Sequence, residues 1–249
     1  MAFQQNSYLA KYSKIYNYHG GGFRGLYRVW DTFKEIDLFD FKRSGIKTNK
    51  IKKSGYSNSQ YMFYSPVYSS VSEEMMRTSF NYYTSAVRYT EYDRKTVFID
   101  LGCGAGKTII QANEIGHFDY FGGAEIDSSL TSICKSNIEK TNMDKNRSFI
   151  FEGNVEKNDW AKFLVNKLTI DNINPQKTSL FIFNKNSYGS EVLKNSLEIA
   201  NEYFSSIFYL YQNPIHHKVL INNKFDCFLK DSATSTSHKN FKYKCYYKN

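Results

Sequence analysis

Cysteine is scarce and poorly spaced for metal chemistry. The chain has four, Cys103, Cys134, Cys227 and Cys245, and no two form a C-x2-C pair. That spacing argues against a zinc or iron–sulfur site, so no metal is expected, and 249 residues are too many to need a disulfide scaffold. Long apolar runs are missing too, which leaves no candidate for a membrane-spanning helix. The opening stretch "MAFQQNSYLAKYSKIYNYHG" is polar and has no signal-peptide core, so a soluble, cytoplasmic protein is expected. Internal repeats are absent. Acidic residues are in deficit, with 24 Asp and Glu against 33 Lys and Arg, a formal charge of +9. Such a balance suits an ordinary solvated surface or an acidic partner such as RNA, DNA or anionic lipid. Charge alone does not choose.

Aromatic residues are abundant, with 21 Tyr and 20 Phe. Phe23, Leu26, Tyr27, Trp30 and Phe33 recur at three- and four-residue spacing, which predicts an amphipathic helix over Phe23 to Phe39 with its stripe packed inward. Gly20, Gly21 and Gly22 form a flexible break before it. The stretch "KRSGIKTNKIKKSGYSNSQ" reads as a basic surface loop or linker. Ser65-Pro66 reads as a helix start, with the helix running to about Val87 through Val67, Val71, Met75 and Phe80.

From Thr96 the texture changes. Short apolar runs ("TVFID", "YFGGAEI", "SFIFEGN", "SLFIFN", "SIFYLYQNP") alternate with helical stretches from about Lys107, near Ser129 to Lys140, and from about Glu191 to Tyr203. This pattern predicts an α/β fold, a mostly parallel sheet with helices on both faces. At the C-terminus "KFDCFLKD" and "NFKYKCYYK" predict an antiparallel hairpin closing the sheet edge. Phe241, Tyr243, Cys245 and Tyr247 would face one way, and Lys242, Lys244 and Lys248 the other. His216-His217 would point to opposite faces of a strand, which argues against a shared metal.

The stretch "VFIDLGCGAGKTII" raises the question of its ligand. A P-loop requires G-x-x-x-x-G-K-[ST], but its first glycine would fall at Leu101. "SLFIF" also ends in Asn184 rather than a metal-holding Asp. A dinucleotide loop requires G-x-G-x-x-G; Gly102 and Gly104 fit, but the third place holds Lys107. Asp100 beside the glycines would moreover repel a pyrophosphate. It suits a ligand that presents positive charge.

The run Asp100-Leu101-Gly102-Cys103-Gly104-Ala105-Gly106, followed by Glu125 at the end of the next strand, resembles motif I of the class I S-adenosylmethionine-dependent methyltransferases. The resemblance spans about Thr96 to Leu220. It implies a Rossmann-like seven-strand sheet and S-adenosylmethionine as cofactor. Residues 91–249 would form the cofactor domain, and residues 1–90 a mainly helical extension or cap. By the same resemblance the cofactor contacts are Asp100, Gly102, Cys103, Gly104, Gly106, Glu125, Ile126, Asn154, Val155 and Asn184. Asp100 would serve the ammonium end, Glu125 the ribose hydroxyls and Asn154 the adenine. The segments "NKNSYGSEVL" and "YLYQNPIHHKVL" resemble a bacterial subgroup distantly similar to the non-SET histone-lysine methyltransferases. That subgroup tends to read N-P-F-G where this chain lacks the proline.

The donor of such a reaction arrives activated, so the enzyme chiefly positions the acceptor and excludes water. No dedicated base is required unless the acceptor is protonated. Asn184, Tyr188 and Tyr64 are catalytic candidates by location, Tyr64 because the distant family folds an N-terminal loop over the cofactor. "NKNSY" lacks both prolines of the N-P-P-Y loop of DNA adenine methylation. Protein side chain, saccharide, small molecule and RNA or DNA all stay open as acceptors. A rival reading is a nonenzymatic protein holding nucleic acid through "KTNKIKK" and tyrosines. An NAD-dependent oxidoreductase is weaker still.

Overall fold

The structure, a computed structural model, describes residues 2–48, 69–87, 94–185, 188–230 and 243–249. The apolar runs become β1 (Lys95–Leu101), β2 (Tyr120–Glu125), β3 (Ser148–Glu152), β4 (Thr178–Asn184), β5 (Ser206–Gln212), β6 (Asp226–Lys230) and β7 (Tyr243–Lys248). They form one sheet in the order β3-β2-β1-β4-β5-β7-β6. β1 to β5 are parallel, and β7 is antiparallel to both neighbours.

Ahead of the sheet come α1 (Ala2–Tyr18), α2 (Gly22–Thr32), a π-helical turn (Phe33–Asp37), α3 (Leu38–Phe41) and α4 (Ser69–Tyr82), which ends in a second π turn (Tyr83–Val87). Between and after the parallel strands run α5 (Lys107–Ile115), α6 (Ser128–Lys140), α7 (Asp159–Ile170), α8 (Ser190–Tyr203) and α9 (His217–Asn222). The sequence reading left α1 and α7 unassigned.

Strand alternation sorts the core into two layers. Leu180, Ile182, Ile207 and Tyr209 face α7 and α8, where Trp160, Leu164, Val192 and Leu197 close the layer. Phe181, Phe183, Phe208 and Leu210 face the other way, onto Met75 and Met76 of α4 and Ile109 of α5. Phe181 stacks on Phe208 with ring centroids 4.5 Å apart, and Tyr83 meets Phe208 edge-on at 5.8 Å. Each such buried ring contributes roughly 1.5–3 kcal/mol through area removed from water. Gly122 lets β2 and β3 close up, because a Cβ there would lie 2.2 Å from the Phe149 carbonyl oxygen.

The expected antiparallel hairpin does close the sheet edge, with β7 between β5 and β6 and β6 outermost. Three other expectations are corrected. Tyr246 is fully buried on the face expected to carry only lysines, because helices cover both sides. His216 and His217 start a short helix rather than lying on a strand, because β5 has already ended at Gln212.

The third correction concerns α2. Its stripe faces outward, with Phe23 87%, Leu26 60% and Trp30 61% exposed. The helix docks through its small side instead: a Cβ on Gly25 would lie 2.8 Å from the Tyr16 carbonyl of α1. The following π turn supplies the anchor to the body, burying Glu35, Ile36 and Asp37. Lys11 and Tyr12 of α1 both reach Asp37, each at 2.5 Å. Tyr64, Ser65-Pro66, Val67 and Phe241, with most of the expected basic loop, lie outside the described residues.

Candidate functional site

The strand order reverses between β1 and β4, which run side by side with Asp100 opposite Phe183. In open α/β sheets ligands bind beyond the carboxyl ends of the strands at such a switch point. Here β1 ends near Asp100, β2 at Glu125 and β4 at Asn184. Both carboxylates are buried.

The loop between β1 and α5 turns on three glycines with left-handed φ: Gly102 at 86°, Gly104 at 53° and Gly106 at 83°. Only glycine adopts that backbone without a steric penalty. Gly106 is fixed twice over, because a Cβ would also fall 2.5 Å from Cys134 Sγ. Cys103 turns its thiol inward: a Cβ on Gly123 of β2 would lie 2.5 Å from Cys103 Cβ. Hydrogen bonding to Cys134 and then burial push that thiol far up, so Cys103 offers a ligand its backbone rather than its sulfur.

Lys107 and Thr108, the residues that imitate a P-loop, point in different directions. Lys107 Nζ donates to the carbonyls of Glu35 at 3.1 Å and Ile36 at 3.4 Å, in the π turn. Burial lowers its pKa to about 8, against the pull of Asp40 and Glu35. Thr108 Oγ1 donates to Asp100 Oδ2. Neither side chain addresses a phosphate.

Asp100 titrates at about 7, pushed up from its ordinary 3.8 mainly by burial. The Thr108 hydroxyl opposes that rise, the nearby Glu125 adds to it, and Lys185 opposes it again. Glu125 is raised as well, chiefly by burial, although three backbone N–H groups favour its charged form. Its Oε2 accepts from Gly104 N at 2.8 Å, and its Oε1 from Ile126 N at 2.9 Å and Asp127 N at 3.0 Å. A carboxylate has about four lone-pair sites, so roughly one is left for a ligand hydroxyl.

Lys185, directly after β4, escaped the sequence reading. Burial and the charge of Lys107 lower its pKa to about 7, while Asp100 favours its protonated form. A lone lysine behind an apolar strand gives no periodic or motif signal. Only the folded neighbourhood shows its relation to Asp100.

The other expected residues separate into two groups. Asn184 and Tyr188 join the carboxylates: Asn184 is fully buried and donates to Tyr209 Oη at 2.7 Å. The Tyr188 hydroxyl is pushed well up, first by burial and then by Glu125 and Asp100. Ile126 lies at the rim, its N–H bound to Glu125. Asn154 stands in the turn after β3, accepting from Glu156 N at 2.9 Å, with its amide on the Glu156 carboxylate at 3.3 Å. Val155 is core, and its carbonyl receives the Trp160 indole N–H at 3.0 Å. A separate cavity of about 280 Å³ lies between the first π turn, the start of α4 and α5; Lys34, Lys42, Arg43 and Glu114 are among its walls.

No protein-family model and no curated protein matches this sequence. Solved structures do match. One is a Pyrococcus horikoshii protein described as a "putative RNA methyltransferase", 13% identical, covering 85% of this chain and 95% of that one at a TM-score of 0.51. The chain shares that protein's Rossmann-like α/β fold. A Streptococcus agalactiae protein of the NADB-Rossmann superfamily is 13% identical over 71% of this chain and 68% of that one, at a TM-score of 0.45. The M. capricolum protein TrmK, solved with S-adenosylhomocysteine, is 12% identical over 68% and 66% of the two chains, at 0.42. At 12–13% identity none of these likenesses carries a function, and the last two carry no argument at all. None of these structures supports the narrower resemblance to the non-SET histone-lysine subgroup.

Proposed function

We propose that this chain transfers a methyl group from S-adenosylmethionine to an acceptor. One observation carries the reading: Asp100 and Glu125 are two buried carboxylates flanking a left-handed glycine loop at the sheet's switch point. Burial alone makes their charges unfavourable. A ligand with an ammonium group and a ribose diol offsets that penalty at both ends, whereas a pyrophosphate would worsen it. The donor set therefore fits this cofactor.

Asp100 would hold the amino end, with Thr108 fixing its carboxylate. Glu125 would take the ribose; because a diol needs two acceptor sites, its bond to Gly104 N gives way or is shared. The glycines let the backbone approach the methionine portion. The cofactor itself supplies an electrophilic methyl group. Asn184, Lys185 and Tyr188 border the acceptor side and would orient the nucleophile there and exclude water.

Residues 91–249 form the cofactor-binding part on this reading, and residues 1–90 the acceptor side. Lys107 joins the two through the π-turn carbonyls. The test is calorimetric titration with S-adenosylmethionine, followed by labelled-methyl transfer into a cell lysate sorted into protein, nucleic acid and small molecules. Saturable heat and a labelled fraction are expected. No heat and no thermal shift at millimolar cofactor contradict the reading.

A further inference from the structure

The helical rod from Gly22 to Phe41 runs through α2, the π turn and α3 without a break. Its second half is fixed to the glycine-loop helix α5 by Lys107. Its first half presents Phe23, Tyr27 and Trp30 to solvent, with Tyr27 42% exposed between its more exposed neighbours. Cations share this surface. Arg24 is exposed beside the rings, and Lys34 follows Trp30 by one turn. Lys34 and Lys42 then line the cavity over α5. By contrast the cavity's Arg43, Glu114, Glu73 and Arg77 are already engaged in ion pairs.

We propose that this track of rings followed by lysines docks a single-stranded nucleic acid, the acceptor or the flank of the acceptor site. Every base offers a π face to an exposed ring, and the lysines meet the phosphates between them. The order of the groups favours this occupant over a lipid surface. An interfacial helix keeps its cations to the flanks of the apolar stripe, whereas here Lys34 and Lys42 continue along the rod and into a cavity. The proposal rests on the methyltransferase reading for its purpose, but not for its test.

The chain has two tryptophans, and Trp160 is buried while Trp30 is exposed, so quenching by a ligand on α2 reads Trp30. The probe is a labelled oligouridylate of about twelve nucleotides, followed by anisotropy and by tryptophan emission. We expect quenching, a Trp30→Ala affinity about tenfold weaker, and binding that falls with salt. Replacing Lys34 and Lys42 by Gln should reduce the salt slope by about 1.4. Circular dichroism identifies any variant that misfolds, and the ring and lysine variants test the track independently. Glu125→Ala should leave oligonucleotide binding intact, so failure of the cofactor reading is seen separately. The proposal is overturned if both the Trp30 and the lysine variants bind like the parent. It is equally overturned if the protein takes up phosphatidylserine vesicles or self-associates through Trp30 without binding the oligonucleotide.

Discussion

In β4 and β5 every residue is buried, whereas in α2 the largest apolar side chains face water. Both segments announce themselves by apolar periodicity. The strands have neighbours on each side and helices above and below, so their covering follows from the alternation of strand and helix along the chain. Among the described residues α2 packs chiefly on α1, which it meets through Gly25, leaving the stripe outside. Periodicity tells that a face is apolar. What lies against that face is decided by the rest of the fold.

The contrast can be broken hardest at the sheet centre. Phe208→Ala should destabilise the protein by about 3–5 kcal/mol in urea unfolding, because the stacked pair with Phe181 leaves a cavity that the flanking helices cannot close. A value under about 1 kcal/mol would mean that the aromatic layer is loosely packed.

Next in size is Asp100→Asn, which should stabilise the ligand-free protein while abolishing cofactor binding. The folded pKa of about 7 lies above the ordinary 3.8, so the folded state holds the proton longer. The parent therefore loses stability as pH rises between those values and is level above them. The advantage of the variant should grow over the same interval, to about 4 kcal/mol at pH 8. A pH-independent difference would remove the electrostatic account of Asp100. In the parent, affinity for a cationic ligand should rise as pH passes through about 7, because the ionised carboxylate is what attracts it. Titrations at pH 6 and pH 8 check this, and equal affinities would contradict it.

The smallest effect belongs to α2. Leu26→Ala should change stability by no more than about 0.5 kcal/mol, as for other exposed positions. A larger loss would mean that the stripe is covered in the folded protein.

How much the sequence disclosed follows the same division. The strands, the glycine loop and Glu125 were legible because each has a local signature: an apolar run, glycines at fixed spacing, an acid at a strand end. The insertion of β7 between β5 and β6 was not, since strand order depends on pairing among distant segments. Lys185 was missed because its relation to Asp100 exists only across the β1–β4 pair. The partners of Lys107 were hidden for a similar reason: they are backbone carbonyls of the π turn, distant in sequence. Tyr188 stands out in the sequence only by its distance from β4, and it is the fold that brings it near both carboxylates.

The central claim is that Asp100 and Glu125 bracket the glycine loop in order to hold the methyl donor. Calorimetric titration of the parent and of Glu125→Ala with S-adenosylmethionine tests it most directly. Removing the carboxylate frees the half-buried N–H groups of Ile126 and Asp127, which water can reach, and leaves the buried N–H of Gly104 without that partner, so circular dichroism first checks that the variant folds. The account predicts saturable heat for the parent and at least about a hundredfold weaker binding for the folded variant, since a charged hydrogen-bond partner is lost. Equal affinity in the two proteins would contradict it.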